Sequence, residues 1–170
     1  MAKHLELKGI FPALITPFRK DEEVDEERLR ELVNFVLEKG VHGVVPVGTT
    51  GEFMYMKPEE RERVFKIVIE EVNGRVPVIA GCGASGTDIA LELVKKAEDL
   101  GADAALVVSP FYISPSDKGV FEHFYRICYS TDLPIVVYNI PQCTGYFING
   151  KVKGNLTNVL QGKNLGTVIK

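Results

Sequence analysis

No apolar run in these 170 residues approaches the ~20 that a membrane-spanning helix needs. The amino terminus has no cationic lead into an apolar stretch of the kind that directs secretion. Both absences point to a cytoplasmic protein with no membrane partner. Cysteine is scarce, and Cys82, Cys128 and Cys143 are odd in number and widely spaced. That fits neither a disulfide framework nor the ligand spacing of a zinc site, so core thiols and no bound metal are expected. Positive charge is not in excess either. A net charge of −3 leaves no electrostatic basis for binding nucleic acid.

What is present is the composition of a soluble globular domain, 45% hydrophobic and 25% charged. The chain is organised around residues 43–52, Gly-Val-Val-Pro-Val-Gly-Thr-Thr-Gly-Glu. An apolar run fit for a buried strand breaks there at Gly48 into two adjacent hydroxyls and a second glycine. In an α/β fold such a loop lies at the carboxyl ends of the parallel strands, and flanking glycines let backbone amides approach an anion. A carboxylate or phosphate site around Thr49 and Thr50 is therefore expected. A glycine-rich turn ahead of an ordinary helix cap would leave the same local signature.

Around this stretch the pattern repeats. Strands are expected at residues 9–18, 41–47, 76–80, 104–108 and 134–138. Helices are expected at residues 25–39, 58–72, 87–100 and 117–129. In the first helix Leu29, Leu32, Val33, Val36 and Leu37 recur at helical spacing, acids crowd the first turn, and Gly40 follows the end. Strand starts recur about every 30 residues, which marks repeated βα units and a parallel sheet. Such a sheet is either a closed eight-fold barrel or an open doubly wound sheet. Eight units need about 250 residues, so this chain has room for about five to six.

A second glycine pattern, Gly81-Cys-Gly83-Ala-Ser-Gly86, follows the third strand and matches the dinucleotide-binding fingerprint letter for letter. Its context does not match. The fingerprint expects an acid at the end of the next strand, but that strand ends in Ser109-Pro110 and Asp103 stands at its start. A tight strand-to-helix turn accounts for the glycines better than a nicotinamide or flavin site does, and no cofactor is expected.

The opening Phe11-Pro-Ala-Leu-Ile-Thr-Pro-Phe18, the loop Gly48-Thr-Thr-Gly-Glu52 with Glu60 downstream, Ser109-Pro-Phe-Tyr112, and Tyr138-Asn-Ile-Pro141 with Thr144-Gly145 occur in this order. Together they resemble the dihydrodipicolinate synthase and N-acetylneuraminate lyase family of pyruvate-dependent aldolases, from the first strand to Ile148. The resemblance implies a (β/α)8 TIM-barrel fold, here incomplete, in which a lysine forms a Schiff base with pyruvate or a related 2-oxo acid. It implies that Thr49 and Thr50 hold the substrate carboxylate, that Tyr138 shuttles the proton, and that Tyr112 assists from a subunit contact. No metal or separate cofactor is implied. The family's arginine after the Tyr-Asn-x-Pro segment is replaced by Gln142-Cys143, which weakens the case for aspartate semialdehyde as second substrate. It favours a sugar-acid or other 2-oxo acid aldolase.

The last 22 residues are a different kind of sequence. Residues 1–148 carry 16 Lys and Arg against 23 Asp and Glu, whereas residues 149–170 carry four Lys and no acid. This basic, Gly- and Asn-rich tail departs from the family pattern, and residues 166–169 are a candidate sixth strand. Lys170, after that apolar run, is the candidate Schiff-base lysine, with Lys163 behind it. A barrel lacking its last units would expose sheet edges, which pairing with another copy as a homo-oligomer would cover. The alternatives to an aldolase are a non-catalytic half-barrel and an open nucleotide-binding sheet.

Overall fold

The computed structural model describes residues 5, 7–111 and 115–138, and describes residues 139, 144–148 and 167–169 through their backbone. The expected helices are all present. Helix α1, Glu26–Glu38, starts where the Asp25 carboxylate accepts a hydrogen bond from the Arg28 amide at 3.1 Å. It buries Leu29 and Val33. Helix α2, Pro58–Val72, begins with the Glu60 carboxylate accepting from the Lys57 amide at 2.6 Å and ends at Asn73, which takes the left-handed conformation with φ 46°. Helices α3, Thr87–Asp99, and α4, Asp117–Ser130, complete the set. Each helix packs against the next. Arg30 ties α1 to α2 through Glu70 and Glu71, both at 3.1 Å.

The strands are shorter than their apolar runs. Strand β1 is Ile79–Gly81, β2 is Ala104–Val108 and β3 is Ile135–Asn139, paired in parallel in that order. The first two expected strands are reduced to parallel bridges, Ala13 to Val45 and Val44 to Val78. They still extend the sheet, because the Leu14 amide donates to the Val45 carbonyl at 3.0 Å and the Ile79 amide to the Val44 carbonyl at 2.9 Å. Prolines at 12, 46 and 77 lack the donor that a longer ladder needs.

Alternation along these strands separates two buried faces. Val44, Val78, Ala80, Ala105, Val107 and Val137 join the large core under the helices. Val45, Ile79, Ala104 and Val136 form a second cluster on the opposite face, where Leu5, Leu7 and Phe11 pack against them. Strands buried on both faces and crossed over by helices are the βα architecture of an incomplete (β/α) barrel.

One feature departs from a wholly parallel sheet. Strand β4, Thr144–Ile148, lies antiparallel on β3, and β5, Thr167–Ile169, lies antiparallel on β4. Only residues 140–143 separate β3 from β4, too few for the crossover that parallel pairing requires, so a reversal is the available geometry. The candidate sixth strand is therefore in place along the sequence but at the outer edge, away from β3.

Candidate functional site

The carboxyl ends of the parallel strands converge on a small, open cleft whose wall includes Val47, Gly48, Thr49, Gly83, Val108 and Tyr138. Each strand contributes through the residues at or just beyond its end. Tyr138 stands level with Val108 in the β2–β3 register, and the Ser109 amide donates to its carbonyl at 3.2 Å. The side chain of Tyr138 is partly buried and packs against the main core. The hydroxyl-bearing loop and the tyrosine, far apart in sequence, thus face one space.

The loop is held by local backbone geometry. Val47 has φ 59°, in the left-handed region that a β-branched residue rarely enters, and is 1% exposed. Its carbonyl fits there because position 81 is glycine: a Cβ on Gly81 would come within 2.0 Å of the Val47 oxygen. Beyond Val47 the Gly51 amide donates to the Gly48 carbonyl at 3.0 Å and the Glu52 amide to the Thr49 carbonyl at 3.1 Å. The buried Thr16 hydroxyl donates to the Gly51 carbonyl at 2.8 Å. These tight turns leave Thr49 and Thr50 exposed, and Thr49 lines the cleft.

Arg61 stands behind the wall. It is 8% exposed, and its Nη1 donates to the Gly83 carbonyl at 2.9 Å while the guanidinium lies 5.1 Å over the Phe53 ring. Its Nε is buried with no hydrogen-bond partner among the described residues. Burial lowers its pKa, and the neighbouring Cys82 thiol is pushed up by its own burial, so that the sulfur stays neutral. On the far side of the second glycine turn, the Thr87 hydroxyl lies 2.9 Å from Nδ1 of His123, which is 2% exposed. Burial, with the Arg126 charge adding to it, lowers the His123 pKa.

Of the residues singled out from sequence, Thr49 and Tyr138 meet in the cleft and Thr50 stands exposed beside it. Tyr112, Lys163 and Lys170 lie outside the described residues, as do Gln142 and Cys143. The second glycine pattern has a packing cause: Gly81 makes room for the Val47 carbonyl, and a Cβ on Gly83 would meet Val108 Cγ1 at 2.6 Å. Among the described residues no three His, Cys, Asp or Glu side chains gather as a metal site, and no helix is long and apolar enough to cross a membrane. Thr16 and Arg61 went unremarked in the sequence. Arg61 had left a signal: it shares the helical stripe of Val64, Phe65, Val68 and Val72, a charge on the apolar face of α2.

Comparison with known proteins places the fold in a family. The chain is 52% identical to the 4-hydroxy-tetrahydrodipicolinate synthase of Methanopyrus kandleri over 82% of its own length and 47% of that protein's. It superposes with a TM-score of 0.80 on the structure of the 4-hydroxy-tetrahydrodipicolinate synthase from Methylacidiphilum fumariolicum SolV, at 37% identity, covering 94% of this chain and 51% of that one. It superposes at 0.78 on the chloride-inhibited dihydrodipicolinate synthase from Acinetobacter baumannii complexed with pyruvate, at 43% identity, covering 81% and 47%. The chain spans about half the length of these relatives. The model of the dihydrodipicolinate synthetase family matches residues 6–165, nearly the whole chain, and to that family the chain belongs.

Proposed function

We propose that this chain carries the 2-oxo acid half of a Schiff-base lyase site, with Thr49 and Thr50 receiving the carboxylate of pyruvate or a related acid and Tyr138 moving the proton. The observation that carries this is the convergence of Thr49 and Tyr138, from strand ends three βα units apart, on one cleft. The exposed threonine pair offers hydroxyls to a carboxylate, and the glycines beside it let backbone amides approach. The pyruvate complex of the Acinetobacter baumannii relative supports the same substrate class.

In the chemistry proposed, a lysine amine adds to the C2 carbonyl and water leaves. The resulting imine takes up the electron pair of a C3 bond that breaks, becoming an enamine, and the enamine returns a pair to the electrophile when a C3 bond forms. Tyr138 would carry the proton between the departing hydroxyl and solvent or substrate, with Tyr112 assisting from a second copy. Lys170 is the proposed nucleophile, acting in a cytoplasmic homo-oligomer. No metal or separate cofactor enters this scheme.

The test is intact mass after incubation with pyruvate and borohydride, followed by peptide mapping. One reduced pyruvate adduct on Lys170 is the expected result. A folded chain that takes up no adduct would overturn the proposal. A second reading, a half-barrel without chemistry, is favoured by the antiparallel β4, which occupies the edge of β3 where a barrel would place its next parallel strand. An adduct-free chain that sediments as a stable dimer would fit that reading.

A further inference from the structure

Arg61 has a chemical situation that the proposed mechanism does not use. A guanidinium keeps its charge at any pH a folded protein meets, so its burial normally brings a carboxylate partner. Here no described acid pairs with Arg61, and its hydrogen bond goes to a carbonyl, that of Gly83. The titratable group that interacts with it, Cys82, is held by burial as a neutral thiol and supplies no compensating charge. Among the described residues the cation is left with one carbonyl dipole, the face of Phe53 and an unpaired Nε. Such a site costs stability by itself, because an uncompensated buried charge loses its hydration without an equal return.

The two groups that Arg61 touches are both part of the cleft wall. Gly83 and Phe53 line the cleft on one side of the guanidinium, and Gly48 and Thr49 line it with them. The guanidinium thus contacts two residues that line the space where an anion would sit. Across protein a charge acts over a longer distance than it does across solvent.

We propose that Arg61 is a positioning residue whose unpaired charge, set behind Gly83 and Phe53, makes the cleft bind carboxylate anions. The missing counter-charge is supplied by the ligand itself. This deepens the assignment of the cleft to 2-oxo acids and rests on it for the identity of the anion, but its test does not depend on imine formation.

The experiment is an NMR titration of the whole chain at constant ionic strength, following the amides of Gly48, Thr49, Thr50 and Gly83. The ligands are formate, which has a carboxylate and no ketone, and pyruvate. Wild type, Arg61→Met and Arg61→Lys are compared, each with its melting temperature. Saturable shifts with formate are expected for wild type. Arg61→Met should weaken binding by about tenfold, the size that one charge behind a thin protein wall exerts at an effective dielectric of about 20. Arg61→Lys, which keeps the charge and loses the Nη1 bond to Gly83, should retain most of the affinity.

The melting temperature separates this from a merely structural role. Replacing an unpaired buried cation by an apolar side chain of similar length should hold or raise the melting point of Arg61→Met while affinity falls. A melting point that falls together with affinity, or equal loss in the Lys and Met variants, would overturn the proposal. So would wild type that shows no saturable shift with formate. If Arg61→Met does not fold, the Lys variant and the formate titration decide. Formate binding without a pyruvate adduct would remove the lyase assignment and leave the role of Arg61 standing.

Discussion

Two glycine-rich turns close the same end of this sheet, residues 47–52 and residues 81–86, and they differ in where the strain falls. In the first, the left-handed conformations belong to Val47 and Glu52, with φ 59° and 61°, rather than to the glycines, and Gly51 makes room for the Leu14 carbonyl, which an added Cβ would meet at 3.0 Å. In the second, space is the issue, since Gly81 and Gly83 admit the Val47 carbonyl and the Val108 side chain. The second turn is therefore the mould for the first. A glycine motif that matches a nucleotide fingerprint can arise from neighbour packing alone, and its sequence context is what tells the two apart.

The comparison breaks most visibly at Gly81. A methyl group there meets a backbone oxygen that cannot swing away, so Gly81→Ala should lower stability by about 3 kcal/mol or more, or prevent folding, as read by urea denaturation. Thr16→Val comes next. It leaves the buried Gly51 carbonyl without its donor at a cost of about 1–3 kcal/mol, while helical circular dichroism stays unchanged. Conformation is tested at Val47, where both small variants give up similar burial but only glycine relieves the positive φ. Val47→Gly should be more stable than Val47→Ala by about 1 kcal/mol, the reverse of the usual order.

The turns should also differ in their response to acid. Buried His123 anchors Thr87 at the end of the second turn, and its folded pKa lies below the unfolded value of about 6.5. The stability it contributes is present in full above about pH 6.5 and is lost as pH falls through the folded value. A melting-temperature series from pH 7.5 down to pH 5 should show a decline that His123→Gln flattens. The smallest effect is expected at Gly86, whose nearest neighbour to an added Cβ is Ile89 at 3.9 Å. Gly86→Ala should change stability by less than about 0.5 kcal/mol, which marks where the mould ends.

Legibility followed the strength of the local signal. The helices could be read to within a residue or two because each has a 3.6-residue apolar period and end signals such as Asp25 and Pro58, which act within one turn. The strands were harder to bound. Buried on both faces, they lack the polar alternation that marks where pairing stops, so β1 begins at Ile79 although its apolar run begins at Val76. Strand β4 gave no signal of its own, since residues 144–148 follow the Tyr138 segment directly and their reversal depends on the short connection. Thr49 was legible as a hydroxyl in a glycine-flanked loop at a strand end and Tyr138 only through the family resemblance, while their meeting in one cleft was a matter of sheet order.

By itself, then, the sequence determined the four helices, the βα repeat and the kinship of its motifs, all of which rest on interactions between residues close along the chain. Tertiary structure decided what depends on contact across it. It set the left-handed Val47 against Gly81, made Thr16 the anchor of the threonine loop, and turned the last two strands antiparallel. It also left Arg61 buried without an acid among the described residues. Charge on a helix is visible in one dimension, but the absence of its partner is a property of the packed neighbourhood, where residues 53, 61 and 83 meet.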